Sequence, residues 1–332
     1  MIKALKVPIA YFRKAKQTLM NLNALDRKRR WISLNGWIFF PLKKEIKSLN
    51  FYHEIISVDD AFFPIKMKTY PIKSLEKMYN IKLPKSISIL GDIVLINQVP
   101  EGEDLERIGS ILARNYAVRA VFYKEKEIST IFRIAKWKRI YGFGSPLTIH
   151  KEWRYHYVVN VDKAFFNPRM SSERLRVIKQ VKSGEIVLDM FSGVGPFAIP
   201  ISKISRAYAI DINPSAIGFL RINKLINRAD VKEFLGDCRN VISRFKVLFD
   251  RIIMNYPEKS LEFLKYALRV LKDGGVLHIY SFEKGKDGKE ALKKVVEKLR
   301  GEISKFELLN AFSSRDVAPY KYMVVLDVKV KF

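Results

Sequence analysis

The stretch from Gly184 to Phe197, Gly-Glu-Ile-Val-Leu-Asp-Met-Phe-Ser-Gly-Val-Gly-Pro-Phe, restricts the folds open to this chain more than any other. Ile186 to Leu188 is an apolar run too short for a helix and rich in β-branched side chains, so it reads as a buried strand. Gly193 and Gly195 permit a tight turn and let a ligand approach the backbone. A helix start beyond such a turn offers unpaired N–H groups. Glycine-x-glycine alone is weak, because turns use glycine everywhere. The spacing that follows strengthens it. The apolar run Ala207 to Ile210 ends in Asp211, about 20 residues on, where α/β nucleotide-binding folds place an acid against a ribose diol. A further run, Arg251 to Met254, leads into Asn255-Tyr256-Pro257.

Lys and Arg total 61 against 34 acids, a formal net charge of +27. That surplus predicts attraction to a polyanion and favours nucleic acid over a small neutral substrate. The plain alternative for most of these cations is a solvated surface. The apolar fraction of 48% supports a packed core, and the length predicts two or three domains. Cys238 is the only cysteine and the histidines are scattered, so neither a disulfide nor a metal site is expected. No apolar run reaches membrane-spanning length and no signal peptide is visible. A soluble, cytoplasmic, monomeric protein is expected.

Three domains are expected: 1–60, 65–157 and 158–332. In the first, Lys3 to Val7 alternates, Ala10 to Leu25 has helical spacing, and Trp31 to Pro41 reads as a hairpin turning at Asn35-Gly36. Asp26 to Arg30 is a basic cluster, read as a solvated loop or an RNA contact. In the middle domain, strands are predicted on either side of Gly91, over Ala117 to Tyr123 and over Thr130 to Arg133, with a helix from Leu105 to Asn115. Lys136, Lys138 and Arg139 alternate with aromatics, and the theme returns from His150 to Tyr157. Unstacked RNA bases need flat partners and phosphates need cations. A two-faced strand, aromatics inside and cations outside, would give the same pattern.

The last domain has strands ending at Leu188, Ile210, Leu235, Met254 and Tyr280. Helices are predicted from Pro214 to Ile226 and from Lys259 to Leu271, the latter stopped by Gly274-Gly275. An antiparallel pair, 305–313 and 321–331, closes it. Five β/α units and a terminal hairpin predict a class I, Rossmann-like, seven-stranded methyltransferase sheet.

S-adenosylmethionine carries a ribose, an adenine and a sulfonium but no phosphate. Asp211 suits the ribose, Asp237 the adenine amino group, and Asp189 stands beside the glycine turn, each at the carboxyl end of a predicted parallel strand. Phe191, Gly193, Gly195, Ile212, Cys238 and Asn255 complete the expected donor site. Ala198 occupies the third glycine position of the dinucleotide fingerprint, against a diphosphate ligand. Helix capping is the alternative for each acid.

Asp189 to Phe197 together with Ala209 to Pro214 resembles the archaeal and eukaryotic tRNA (guanine-37 N1)-methyltransferases. Leu147 to Glu152, Phe166 to Arg169, Glu173-Arg174 and Asn255 to Pro257 follow in family order, so the resemblance spans nearly the whole chain. It implies that the first sixty residues dock on the tRNA elbow and that the rest holds the anticodon loop with base 37 flipped out. It implies Glu173 as the general base at guanine N1 and Arg133 as the O6 stabiliser. Asn255 would hold the base edge, Pro257 would shape its turn, and Arg169 would order Glu173 or the RNA backbone; Arg174 is a further RNA candidate. A carboxylate can take a proton and a guanidinium can oppose an oxyanion, so the residue types suit the roles. An ion pair between Glu173 and Arg169 at a helix start is the alternative.

Two positions depart from the guanine-specific pattern: Phe165 stands where tyrosine is usual and Ala135 where a second arginine is usual. This resembles the archaeal a-type branch, some members of which also methylate C7 of 4-demethylwyosine. Transfer of an aminocarboxypropyl group, and non-catalytic tRNA binding, are the other readings.

Overall fold

The computed structural model describes residues 1–46, 49–129 and 131–332, in two compact units, Met1–Ser171 with Leu225–Asn227 and Ser172–Lys224 with Arg228–Phe332.

In the first unit, four antiparallel strands lie in the order Ile32–Leu34, Trp37–Pro41, Ile2–Pro8, Glu54–Val58. The hairpin turns at Asn35 (φ 49°) and Gly36 (φ 83°), left-handed at both positions as a type I′ turn requires. Ala4, Ile32, Phe39 and Phe63 form its small core. A second sheet of this unit orders Ile87–Leu90, Ile93–Ile96, Ala120–Ser129 and Ile134–Gly142. Helix Leu105–Tyr116 is the crossover between the two parallel central strands and buries Ile108, Ile111 and Leu112 against them. Asp104 caps its start through the N–H groups of Glu106 and Arg107.

The two sheets meet at one buried carboxylate. Asp92 accepts from Ser33 N (2.7 Å), Thr148 Oγ1 (2.6 Å) and Arg119 Nε (3.1 Å). Arg119 is 2% exposed and donates further to the carbonyls of Phe143, Ser145 and Leu147. Arg30, from the basic cluster, donates to the carbonyls of Tyr116, Ala117 and Gly91. It is therefore a structural cation rather than a solvated one, and burial lowers its pKa.

The expected strand from Thr130 to Arg133 is not formed. Thr130 lies outside the described residues, and Ile131 to Arg133 make a turn in which Arg133 has φ 54°. Apolar alternation resembles a strand locally, but this segment joins the antiparallel strands Ala120–Ser129 and Ile134–Gly142, and Arg133 takes the left-handed conformation where the second of them begins.

The second unit is built on seven strands: β1 (Ile186–Asp189), β2 (Arg206–Asp211), β3 (Val231–Leu235), β4 (Phe249–Met254), β5 (Leu271–Lys284), β6 (Lys305–Ala318) and β7 (Lys321–Lys331). They lie in the order β3-β2-β1-β4-β5-β7-β6, with β1 to β5 parallel and β7 antiparallel to both neighbours. The order reverses between β1 and β2 on one side and β4 on the other, which creates a switch point at the carboxyl end of β1. Leu188, Ile210, Ile252, Leu277 and Leu326 are fully buried in its core. The helix expected from Lys259 to Leu271 is shorter: a 3-10 turn, Ser260–Phe263, followed by helix Leu264–Leu268. Ser260 Oγ folds back onto the carbonyls of Met254 (2.7 Å) and Tyr256 (2.9 Å), which tightens the first turn. Gly274 and Gly275 then fall inside β5, where its register with β4 shifts, instead of stopping a helix.

Candidate donor site and basic strand

In the second unit the glycine turn leaves β1 at the switch point. Ser192 N donates to the Ile210 carbonyl (2.8 Å) and Gly193 N to Asp211 Oδ2 (2.6 Å), so the turn is tied to the end of β2. Gly193 (φ 53°) and Gly195 (φ 88°) are left-handed, and a Cβ on Gly195 would sit 2.4 Å from Leu220 Cδ1. The other Asp211 oxygen, Oδ1, accepts from Asn213 N (2.8 Å). Both Asp211 oxygens are thus held from the protein side, which leaves their outer lone pairs aimed away from the backbone. Burial raises the Asp211 pKa, with the bonds from Asn213 and Gly193 opposing it.

Asp189 is 1% exposed. Burial pushes its carboxyl up to about 8; the Phe191 N–H opposes this and the charge of Asp211 adds to it. Asp189 Oδ2, Ser192 Oγ and Asn255 Oδ1 are buried with no hydrogen-bond partner among the described residues. A buried polar atom without a partner costs about 1–3 kcal/mol, and these three lie at the carboxyl ends of the adjacent strands β1 and β4. Acceptors of this kind fit the ammonium of the methionyl part of S-adenosylmethionine, and a nearby ammonium would draw Asp189 into its ionised form. Ile212 is 40% exposed beside Asp211, an apolar surface suited to a flat base. Phe191 meets Tyr256 (5.2 Å between centroids) and Phe263 (5.1 Å) edge to face. These residues fit the donor.

Other donor-site expectations take a different form. Asp237 caps helix Cys238–Ile242 through Arg239 N (2.9 Å), and Arg239 Nε bonds both its oxygens. Capping is therefore a role this carboxylate already fills. Cys238 is buried, and burial pushes its thiol up to about 12, so it is no nucleophile. The Asn255 turn is braced by Ser260 and by Phe282 N donating to the Pro257 carbonyl (2.8 Å). Glu173, in helix Ser171–Ile178, accepts from Tyr280 Oη (2.7 Å) and from Arg176 Nη2 (2.8 Å) and Nε (2.9 Å). The ion pair at this helix start is made with Arg176, three residues on. Arg174 is 2% exposed, so its guanidinium offers no surface for an RNA contact.

In the first unit, the Arg133 guanidinium lies 4.1 Å over the ring of Phe165, which is 39% exposed. Arg169 donates to Ser86 Oγ (2.8 Å) and the Ile87 carbonyl (3.2 Å). Lys136, Lys138 and Arg139 are exposed on strand Ile134–Gly142 while Ala135 is buried. A register shift places Phe122 opposite Arg139 and Val121 opposite Tyr141, which leaves Ile140 as the extra residue of a bulge. Lys136 pairs with Glu125 at 2.8 Å.

Sequence reasoning missed Ser192, Ser260, Arg176 and Tyr280. Ser192 and Ser260 were legible only as turn residues, and Arg176 as one more helical cation. Among the described residues no group of acids, histidines or cysteines could hold a metal, and no helix is long and apolar enough to cross a membrane.

The sheet order, the glycine turn at the switch point and the acid at the end of β2 define a class I S-adenosylmethionine-dependent transferase. The TRM5/TYW2 methyltransferase domain matches residues 148–309. The tRNA (guanine(37)-N(1))-methyltransferase Trm5b of Pyrococcus abyssi is 33% identical over the full length of both chains. The tRNA 4-demethylwyosine(37)-methyltransferase Taw21 of Saccharolobus solfataricus is 35% identical over 79% of this chain and 99% of its own. The solved complex of aTrm5 with tRNALeu is 27% identical over 99% of each chain, with a TM-score of 0.70. The chain belongs to the TRM5/TYW2 methyltransferase family.

Proposed function

We propose that the protein transfers a methyl group from S-adenosylmethionine to N1 of guanosine 37 in tRNA. The carrying observation is full-length similarity to Trm5b, the first sheet included, where Taw21 aligns with only 79% of the chain. The donor supplies a methyl group on a sulfonium, which leaves as a neutral thioether. Asp211 holds its ribose, Asp189 and Asn255 its methionyl ammonium, and Ile212 flanks its adenine. Guanine N1 bears a proton, so attack on the methyl group requires its removal. Glu173 is the base, and Arg133 opposes charge gathering on O6. Asn255 and the Pro257 turn hold the base edge. Arg169 is buttressed on the strand Ile87–Leu90, which suits a role on the RNA backbone. The sheet of residues 1–60 docks on the tRNA elbow, and the protein acts as a monomer in the cytoplasm.

A second reading is favoured by Phe165. Its ring, capped by Arg133, presents an apolar face where a tyrosine hydroxyl would be polar, which suits the larger tricyclic 4-demethylwyosine. Mass analysis of nucleosides after reaction with unmodified and with 4-demethylwyosine-containing tRNA tests both. Methylated guanosine is expected from the first substrate and a base one methyl heavier from the second. A gain equal to an aminocarboxypropyl group would reassign the reaction, and no product from unmodified tRNA would overturn the main reading.

Replacing Lys136, Lys138 and Arg139 by glutamine should weaken tRNA binding and reduce its salt slope by up to about 2–3, with donor affinity unchanged. Binding measured between low and moderate salt checks this; an unchanged slope would show that the three cations are only solvated.

A further inference from the structure

Glu173 ends a chain of buried charges that runs across the sheet of the second unit. The guanidinium of Arg176 presents one edge to Glu173 and another to Asp327 on β7. Its Nη2 donates to Asp327 Oδ1 at 3.0 Å and its Nη1 to Oδ2. Asp327 is 1% exposed and also accepts from Gln180 Nε2 (3.0 Å) and from His278 Nδ1 (2.6 Å), the residue directly opposite it on β5. Arg251 Nη1 lies 2.7 Å from His278 Nε2. A guanidinium can only donate, so Nε2 accepts and the imidazole proton sits on Nδ1, facing Asp327. His278 is a neutral ring, and burial lowers its pKa although Asp327 opposes this. Arg251 closes the chain on Glu185 (3.0 and 3.2 Å) and the Gln180 carbonyl (3.1 Å).

We infer that Arg176 and Asp327 are positioning residues that orient the Glu173 carboxylate and keep it a usable base. The inference rests on the reading of Glu173 as the base. A carboxylate that accepts two bonds from one edge of an arginine fork and one from a tyrosine hydroxyl is firmly oriented, and each of these bonds favours its ionised form. Asp327 answers this by sharing the fork: one guanidinium charge serves two carboxylates, so Glu173 carries only part of its acidifying effect. The charged and titratable groups facing this pair are Arg176 on its own helix, Tyr280 and His278 on β5, and Arg251 on β4. Against the upward push of burial, the bonds from His278 and Arg176 hold Asp327 well below the usual carboxylate range, so it stays ionised wherever the enzyme works. Burial and the Glu173 charge push the Tyr280 hydroxyl far up, so it stays a donor.

The test is single-turnover methyl transfer to guanosine-37 tRNA across pH for the unaltered protein, Asp327→Asn, Arg176→Lys and Glu173→Gln, with donor affinity and thermal melting measured alongside. In Asp327→Asn the whole guanidinium charge falls on Glu173. The acid limb of the rate profile should move to lower pH, and the plateau rate should fall about 3- to 10-fold as the base weakens, at unchanged donor affinity. Arg176→Lys keeps the charge but lacks the fork that spans two carboxylates, and its plateau should also fall. A folded Asp327→Asn with an unmoved acid limb and an unaltered plateau would overturn the inference. If Asp327→Asn does not fold, an unaltered profile in Arg176→Lys would do so. Full turnover in Glu173→Gln would instead overturn the assignment of the base, a different failure.

Discussion

Glu173→Gln is expected to slow methyl transfer by about 10²- to 10⁴-fold while S-adenosylmethionine binds as before. Glutamine cannot accept the proton that must leave guanine N1. It also turns an amide N–H toward a partner that itself donates, because both Glu173 oxygens accept from Arg176 and one also from Tyr280. The residues proposed to hold the donor are different ones, at the ends of β1, β2 and β4. Rapid-quench measurement of the methyl-transfer step, paired with calorimetric titration of the donor, separates the two effects. Turnover at the unaltered rate would remove Glu173 from the mechanism.

Asp211→Ala should weaken donor binding by about 10- to 100-fold, the value of one or two hydrogen bonds to a charged group. Asp211→Asn should do little better. Both carboxylate oxygens accept from backbone N–H groups, Gly193 at 2.6 Å and Asn213 at 2.8 Å. An asparagine has one oxygen, so its amide N–H₂ must face one of these donors and forfeit that bond. The glycine turn would then loosen together with the ribose contact. Equilibrium dialysis of labelled donor against each variant checks this; affinity retained in both would place the ribose elsewhere.

The second unit was legible because buried parallel strands read as short apolar runs, each closed by polar or turn-forming residues. Asp211 and the two glycines stand where the spacing put them. Local pattern misled at Arg133, which sits in a left-handed turn between strands rather than in a strand. It misled again at Gly274-Gly275, a helix stop by composition but part of β5 in the fold. The chain of charges behind Glu173 depends on register. His278 and Asp327 face each other only because β5 and β7 pair antiparallel in one alignment. The available hint was a lone histidine between Leu277 and Ile279 and a lone aspartate between Leu326 and Val328, each polar in a run otherwise fit for burial.

Asp92 gives the first sheet a structural role of its own. The leading segment that carries this sheet is not a detachable module. Here it could not be cut away cleanly. Ser33 N and Oγ are among the donors that make the buried Asp92 charge tolerable, and the carbonyls of Gly91, Tyr116 and Ala117 rely on Arg30. Losing the leading segment would remove the Ser33 donors, leaving Asp92 to Arg119 and Thr148, and strip those carbonyls of their cation. The first sheet is thereby part of the folding unit it precedes rather than an appendage to it.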